Sequence, residues 1–121
     1  MSNQEFEIRF FDKVDGAKPA EDFIVDLPPK MKAKVLRLIS MLEANGSELR
    51  EPYSKHLDDG IFELRAQVGS DLSRVLYFFM IGKKAILTHG FVKKTQKTPP
   101  TEIIRAKTYR DEYISRKENK Q

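Results

Sequence analysis

The sequence predicts an α+β domain: a mostly antiparallel sheet with a helical hairpin and a C-terminal helix, in the order strand, helix, helix, three strands, helix. Three observations carry this expectation. Apolar residues alternate at period two over residues 6–10 and 61–68, they recur at helical spacing between Met31 and Leu42, and turn residues separate the last three strand-like runs. With 121 residues, 40% hydrophobic and 33% charged, residues 1–121 are expected to form one domain with a single core, and the composition argues against wholesale disorder.

Phe6, Ile8 and Phe10 alternate with Glu7 and Arg9, giving a first strand over about residues 5–11. Pro19 suits a first helical position, so a short helix runs through Phe23, Ile24 and Leu27 until Pro28-Pro29 ends it. Met31, Val35, Leu38, Ile39 and Leu42 then share one helical stripe, and Asn45-Gly46 supplies a left-handed stop. These helices pair as a hairpin on the sheet. Residues 47–60 read as a loop.

Phe62, Leu64, Ala66 and Val68 alternate with Ile61, Glu63, Arg65 and Gln67, which turns Arg65 away from the core-facing set. Residues 72–81 are almost unbroken apolar chain, typical of a central strand buried on both faces, with Arg74 the exception. Gly82-Lys83-Lys84 turns into residues 85–92 and completes a three-stranded meander. Thr98 is placed to cap a final helix that starts at Pro99-Pro100 and carries Ile103, Ala106, Tyr109 and Tyr113 on one stripe. The helices are expected on one face, the first strand at the sheet's edge or centre, and the other face open for function.

Cysteine is absent, which removes disulfides, thiolate metal sites and cysteine nucleophiles together and fits a reducing compartment. The N-terminus is polar, and the longest apolar run, residues 75–81, is far short of the roughly 20 residues of a membrane helix. A cytoplasmic protein without membrane association is expected. The net charge of +4 divides unevenly: residues 1–82 carry −3 and residues 83–121 carry +7, and no acid interrupts Lys83, Lys84, Lys93, Lys94 and Lys97. Such a stretch suits a nucleic-acid phosphate backbone, or a solvated face.

No metal or hydrolase signature is present. His56 and His89 lie far apart without a ligand pattern, no Gly-x-Ser-x-Gly elbow or Gly-rich phosphate loop occurs, and Asp58-Asp59 before Gly60 reads as a turn. No cofactor or metal is expected. What remains is a set of cations: Lys55 before the second strand, Arg65 on it, Arg74 on the third, and Lys93 with Lys94 beyond the fourth. A meander can bring them together as a phosphodiester site, with Arg65 and Arg74 partly exposed on one side of the sheet. Alternatively the arginines pair with Glu63, Asp71 or the last helix.

The blocks Lys55-His56-Leu57-x-x-Gly60-Ile61-x-Glu63-Leu64-Arg65, Arg74-x-x-Tyr77, Gly90-Phe91-x-Lys93-Lys94-Thr95-x-Lys97-Thr98-Pro99 and Glu102-Ile103-x-x-Ala106 resemble the phage-derived branch of the RelE/HigB-like toxins of type II toxin-antitoxin systems, across about residues 5–116. The resemblance implies a RelE-like fold and a metal-independent endoribonuclease that cleaves mRNA on the ribosome. It also implies a cognate helix-turn-helix antitoxin, with operator DNA bound only through the toxin-antitoxin complex. Lys55, Arg65, Arg74 and the pair Lys93-Lys94 then match positions of the family's site, with Lys93 expected to be catalytic, and the basic run adds Lys83, Lys84, Lys94 and Lys97 as expected RNA-binding cations. Two positions depart from the family's pattern: Leu57 stands where a second lysine is frequent, and Phe91 where a tyrosine or histidine is frequent. His56, beside Lys55 in a polar loop, is the stronger candidate for general acid, since His89 falls in an apolar strand. The competing reading is a non-enzymatic ParE-like toxin that inhibits DNA gyrase by protein binding.

Overall fold

The computed structural model describes residues 5–93 and 96–118. Strand β1 (Glu7–Phe10) leads to helices α1 (Pro19–Val25) and α2 (Pro29–Asn45), then a single 3-10 turn, Gly46–Glu48. Four strands follow, β2 (Ser54–Asp58), β3 (Ile61–Val68), β4 (Asp71–Met80) and β5 (Lys84–Lys93), and α3 (Pro100–Glu118) completes the order. The sheet runs β1-β5-β4-β3-β2, antiparallel except for β1, which lies parallel to β5 at one edge. This is the expected α+β architecture, consistent with a RelE-like fold.

Two expectations need correction. Residues 47–60 are not all loop, because Ser54–Asp58 forms an edge strand paired with β3. Its sequence, Ser-Lys-His-Leu-Asp, holds one apolar residue, so partner hydrogen bonds rather than an alternating apolar face define it. The helices also do not gather on one face. Ala20, Ile24, Met31, Val35, Leu38 and Leu42 of α1 and α2 pack on Leu64, Ala66, Val75, Tyr77, Ala85 and Leu87, whereas Ala106, Tyr109 and Tyr113 of α3 cover Phe11, Ile61, Leu76, Phe78 and Ile86 opposite. The apolar run of β4 requires this, since a strand buried on both faces needs cover on both.

Three local features position the functional face. Asp59 and Gly60 both take positive φ, +50° and +79°, the two-residue turn that matches strand twist and joins β2 to β3. A bulge in β5 pairs Leu76 with His89 and Tyr77 with Leu87, leaving Thr88 as the extra residue, so His89 and Phe91 join Ile86 beneath α3. Gly90, on the opposite face, meets Phe23 of α1 so closely that a Cβ would lie 2.3 Å from its ring. Gly90→Ala is expected to cost roughly 1–3 kcal/mol by overpacking, read as a lowered denaturation midpoint. An unchanged midpoint would show that α1 moves aside freely.

Candidate active site

Cross-strand partners share a face, so the register alone assembles a cluster. Lys55 stands opposite Glu63, and Arg65 opposite Arg74, all on the face that α3 covers. Two arginines side by side repel. Glu63, buried at 1% exposure, offsets them: its Oε2 lies 3.1 Å from Arg65 Nε and its Oε1 3.7 Å from Arg74 Nε. Burial is the main cause holding the Arg74 guanidinium below its ordinary pKa; Glu63 opposes the shift and Arg65 adds to it.

The segment that enters α3 is fastened to this cluster. Arg65 Nη2 donates to the Gln96 carbonyl at 3.1 Å and to its Oε1 at 3.0 Å, Arg74 Nη2 donates to the same carbonyl at 2.5 Å, and the Thr98 hydroxyl donates to Glu63 Oε1. Thr98 therefore spends its hydroxyl on the carboxylate, whereas the sequence suggested a helix cap. At the far end of β2 and β3, Lys107 reaches Asp58 at 2.6 Å, and Arg110 donates to the Asp59 carbonyl at 2.5 Å, so α3 grips the turn as well. Between these attachments lies a cleft of about 420 Å³ lined by Lys55, Glu63, Arg65, Gln96, Lys97 and Ile103, among others. Three cations around one buried carboxylate leave a net positive recess with the guanidinium of Arg65, anchored through Nε and Nη2, on its wall, a chemistry suited to a phosphate.

Of the anticipated residues, Lys55, Arg65 and Lys97 meet at this cleft, and Arg65 keeps 21% of its side chain exposed. Arg74 does not: its side chain is fully buried, so the expectation of an exposed Arg74 fails and it supports Arg65 and Glu63 from beneath. The pairing with Glu63 is the alternative that the sequence left open. His56 is not aimed as a general acid. It borders the cleft, but alternation along β2 turns it to the opposite face, where its ring packs edge-on to Phe62 and Nε2 accepts the Gly60 N–H at 3.1 Å. Lys93 is exposed on the same face as Arg65, two strands away, and is not among the residues lining the cleft. Lys83 and Lys84 sit at the other end of β5, roughly 30 Å from Lys93 at about 3.3 Å per residue, apart from the cleft. Lys94 lies outside the described residues.

Sequence reasoning did not give Gln96 a role and treated Glu63 only as a possible partner of the arginines. The available signal was a charged residue on the outward set of a strand otherwise shielded by α3. Among the described residues no group of three or more His, Asp or Glu is placed to hold a metal ion, and no helix is long and apolar enough to cross a membrane.

His89 is structural, with Nε2 2.9 Å from Glu102 and its ring against Tyr109 and Phe91. Burial holds its pKa below the ordinary value; Glu102 pulls upward and Arg105 adds to the depression. The unfolded chain thus takes up the proton first, so this contribution to stability is complete above about pH 6.5 and is lost as pH falls through the lower folded value. The denaturation midpoint is expected to fall between about pH 7.5 and pH 5, and to fall less in His89→Gln. Equal slopes in the two proteins would assign the dependence to other groups.

Compared with curated proteins, the chain has no match. The family model of the phage-derived Gp49-like proteins (DUF891) matches residues 22–111, a span that runs from within α1 through strands β2 to β5 and the cleft into α3. The chain belongs to the phage-derived Gp49-like family.

Proposed function

We propose that this chain is the toxin of a type II toxin-antitoxin pair, a metal-independent endoribonuclease that cuts mRNA on the ribosome and so inhibits translation. The observation that carries the reading is the convergence of Lys55, Arg65 and Lys97 on one cleft whose floor is fixed by Glu63 and Arg74. The family's association with RelE/HigB-like toxins supports it. In this reading the RNA's own 2′-hydroxyl attacks the adjacent phosphorus; the bond from phosphorus to the 5′ oxygen breaks, and a 2′,3′-cyclic phosphate forms. Solvent water takes the proton of the attacking 2′-hydroxyl, Arg65 stabilises the charge that grows on the pentacoordinate phosphate, the Lys55 ammonium donates a proton to the departing 5′ oxygen, and Lys97 holds a neighbouring phosphate. Glu63 and Arg74 are positioning residues.

The +7 of residues 83–121 invites an acidic or mixed-charge antitoxin that masks it, proposed here as a helix-turn-helix protein whose complex with the toxin binds its own operator. Expressing the chain in cells alone and together with the neighbouring gene product, while mapping RNA ends, tests the reading. Discrete cuts inside translated frames, suppressed by co-expression, are expected. Intact messages with DNA-damage signalling would favour gyrase inhibition instead.

A further inference from the structure

Arg65 and Gln96 are shared walls: the cationic cleft lies on one side, and on the other a second cleft of about 290 Å³ is lined by Lys34, Tyr53, Gln67 and Leu72 together with them. Tyr53 is 44% exposed, which leaves aromatic surface in water beside the phosphate-sized recess. Its backbone is held on both sides, its N–H donating to the Arg50 carbonyl at 3.0 Å and its carbonyl accepting the Arg65 N–H at 3.0 Å. That bond sets Tyr53 directly across from Arg65 in the turn that enters β2, at the edge of the sheet, where the cleft also reaches Lys34 of α2.

We propose that the Tyr53 cleft seats the nucleobase that flanks the phosphate held at Arg65, so that the ligand is single-stranded RNA read one base beside the scissile bond. The inference rests on the ribonuclease reading and adds a specificity element to it. An aromatic face accepts any base by stacking, which supplies affinity. Arg65 Nη2 is held by Gln96 and Gln67 Nε2 donates to the Gly69 carbonyl, which fixes these side chains, and Arg65 Nη1 with the other amide groups of Gln67 and Gln96 adds hydrogen-bonding groups suited to base edges, which supply preference. Lys34, on α2, supplies a cation for the next phosphate. Sequence periodicity could not reveal this subsite, because Tyr53 falls in the stretch read as loop and Lys34 is distant along the chain.

The test uses the full chain and two probes: a short single-stranded RNA, and the same oligomer with abasic ribose in place of its bases. Tyr53→Ala is expected to bind the RNA roughly 5- to 150-fold more weakly, the range for one lost stack, while binding the abasic oligomer as the wild type does. Tyr53→Phe should restore RNA binding, and mapped cuts should lose their flanking-base preference in Tyr53→Ala alone. Equal RNA binding by wild type and Tyr53→Ala overturns the subsite, and cleavage by that same wild type leaves the ribonuclease reading standing. Base-dependent binding lost in Tyr53→Ala, without any cleavage by the wild type on translating ribosomes, supports the subsite and defeats the ribonuclease reading. If neither oligomer binds the wild type, the subsite is overturned, and cleavage on translating ribosomes decides the ribonuclease reading separately; if only antitoxin binding is weakened by Tyr53→Ala, the residue belongs to a protein interface and the subsite is overturned.

Discussion

Arg65→Ala is expected to fold and to lose RNA cleavage on the order of 100- to 1,000-fold, the scale seen when one preorganised donor to a developing charge is removed. Growth inhibition on expression should disappear with it. The fold survives because Arg65 is partly exposed at the cleft, and its loss leaves Glu63 with Thr98 and Arg74 as remaining partners. A destabilisation of about 1–2 kcal/mol is anticipated from the lost charged hydrogen bonds. Arg65→Lys should not restore activity, since an ammonium cannot hold Glu63 and Gln96, as Nε and Nη2 do, and present a further donor to the phosphate at the same time. A folded Arg65→Ala protein that still arrests growth would remove Arg65 from the site.

Arg74→Ala is expected to act differently, through stability. Arg74 is the largest of the fully buried side chains among the described residues, and removing it leaves the buried Glu63 carboxylate with Arg65 as its charged partner and the Thr98 hydroxyl beside it. Breaking a buried ion pair from one side costs about 3–5 kcal/mol, or roughly 10–20 °C in denaturation midpoint for a domain of this size. Replacing both partners together, Arg74→Met with Glu63→Leu, should cost less than the sum of the single changes, because no buried charge is then stranded. Additive losses across that cycle, or a wild-type midpoint in Arg74→Ala, would show that the pair does not organise the floor of the cleft.

Strong periodic signals made most of the fold legible. The stripe Met31, Val35, Leu38, Leu42 and the alternation of Phe62 to Val68 each describe a face buried against one neighbour, and both faces are where those residues placed them. The strand at Ser54–Asp58 was hidden because an edge strand with polar side chains owes its form to hydrogen bonds from β3, which leave no trace in local hydrophobicity. The placement of α3 was present in the sequence but unused: an apolar β4 already demanded cover on both faces.

At the site, alternation correctly put Arg65 outside the helical-hairpin core, yet the depth of Arg74 depends on α3 and on residues 96–98 folding back over it. Such burial is a tertiary fact. Likewise His56 is adjacent to Lys55 in sequence but opposite to it in a strand, and only the recognition of β2 reveals the difference. Lys83 and Lys84 share a charge run with Lys93, but a ten-residue strand separates the two groups.

The chemistry of the RNA ends tests the central claim most directly. Messages should be cut by the purified chain on translating ribosomes and the fragments examined for their termini. Attack by the RNA's own 2′-hydroxyl at the Lys55, Arg65 and Lys97 cleft predicts 2′,3′-cyclic phosphate, or its opened 2′- or 3′-phosphate, upstream and a 5′-hydroxyl downstream, with both lost in Arg65→Ala. Fragments ending in a 3′-hydroxyl and a 5′-phosphate, or messages left intact while translation stops, would contradict it.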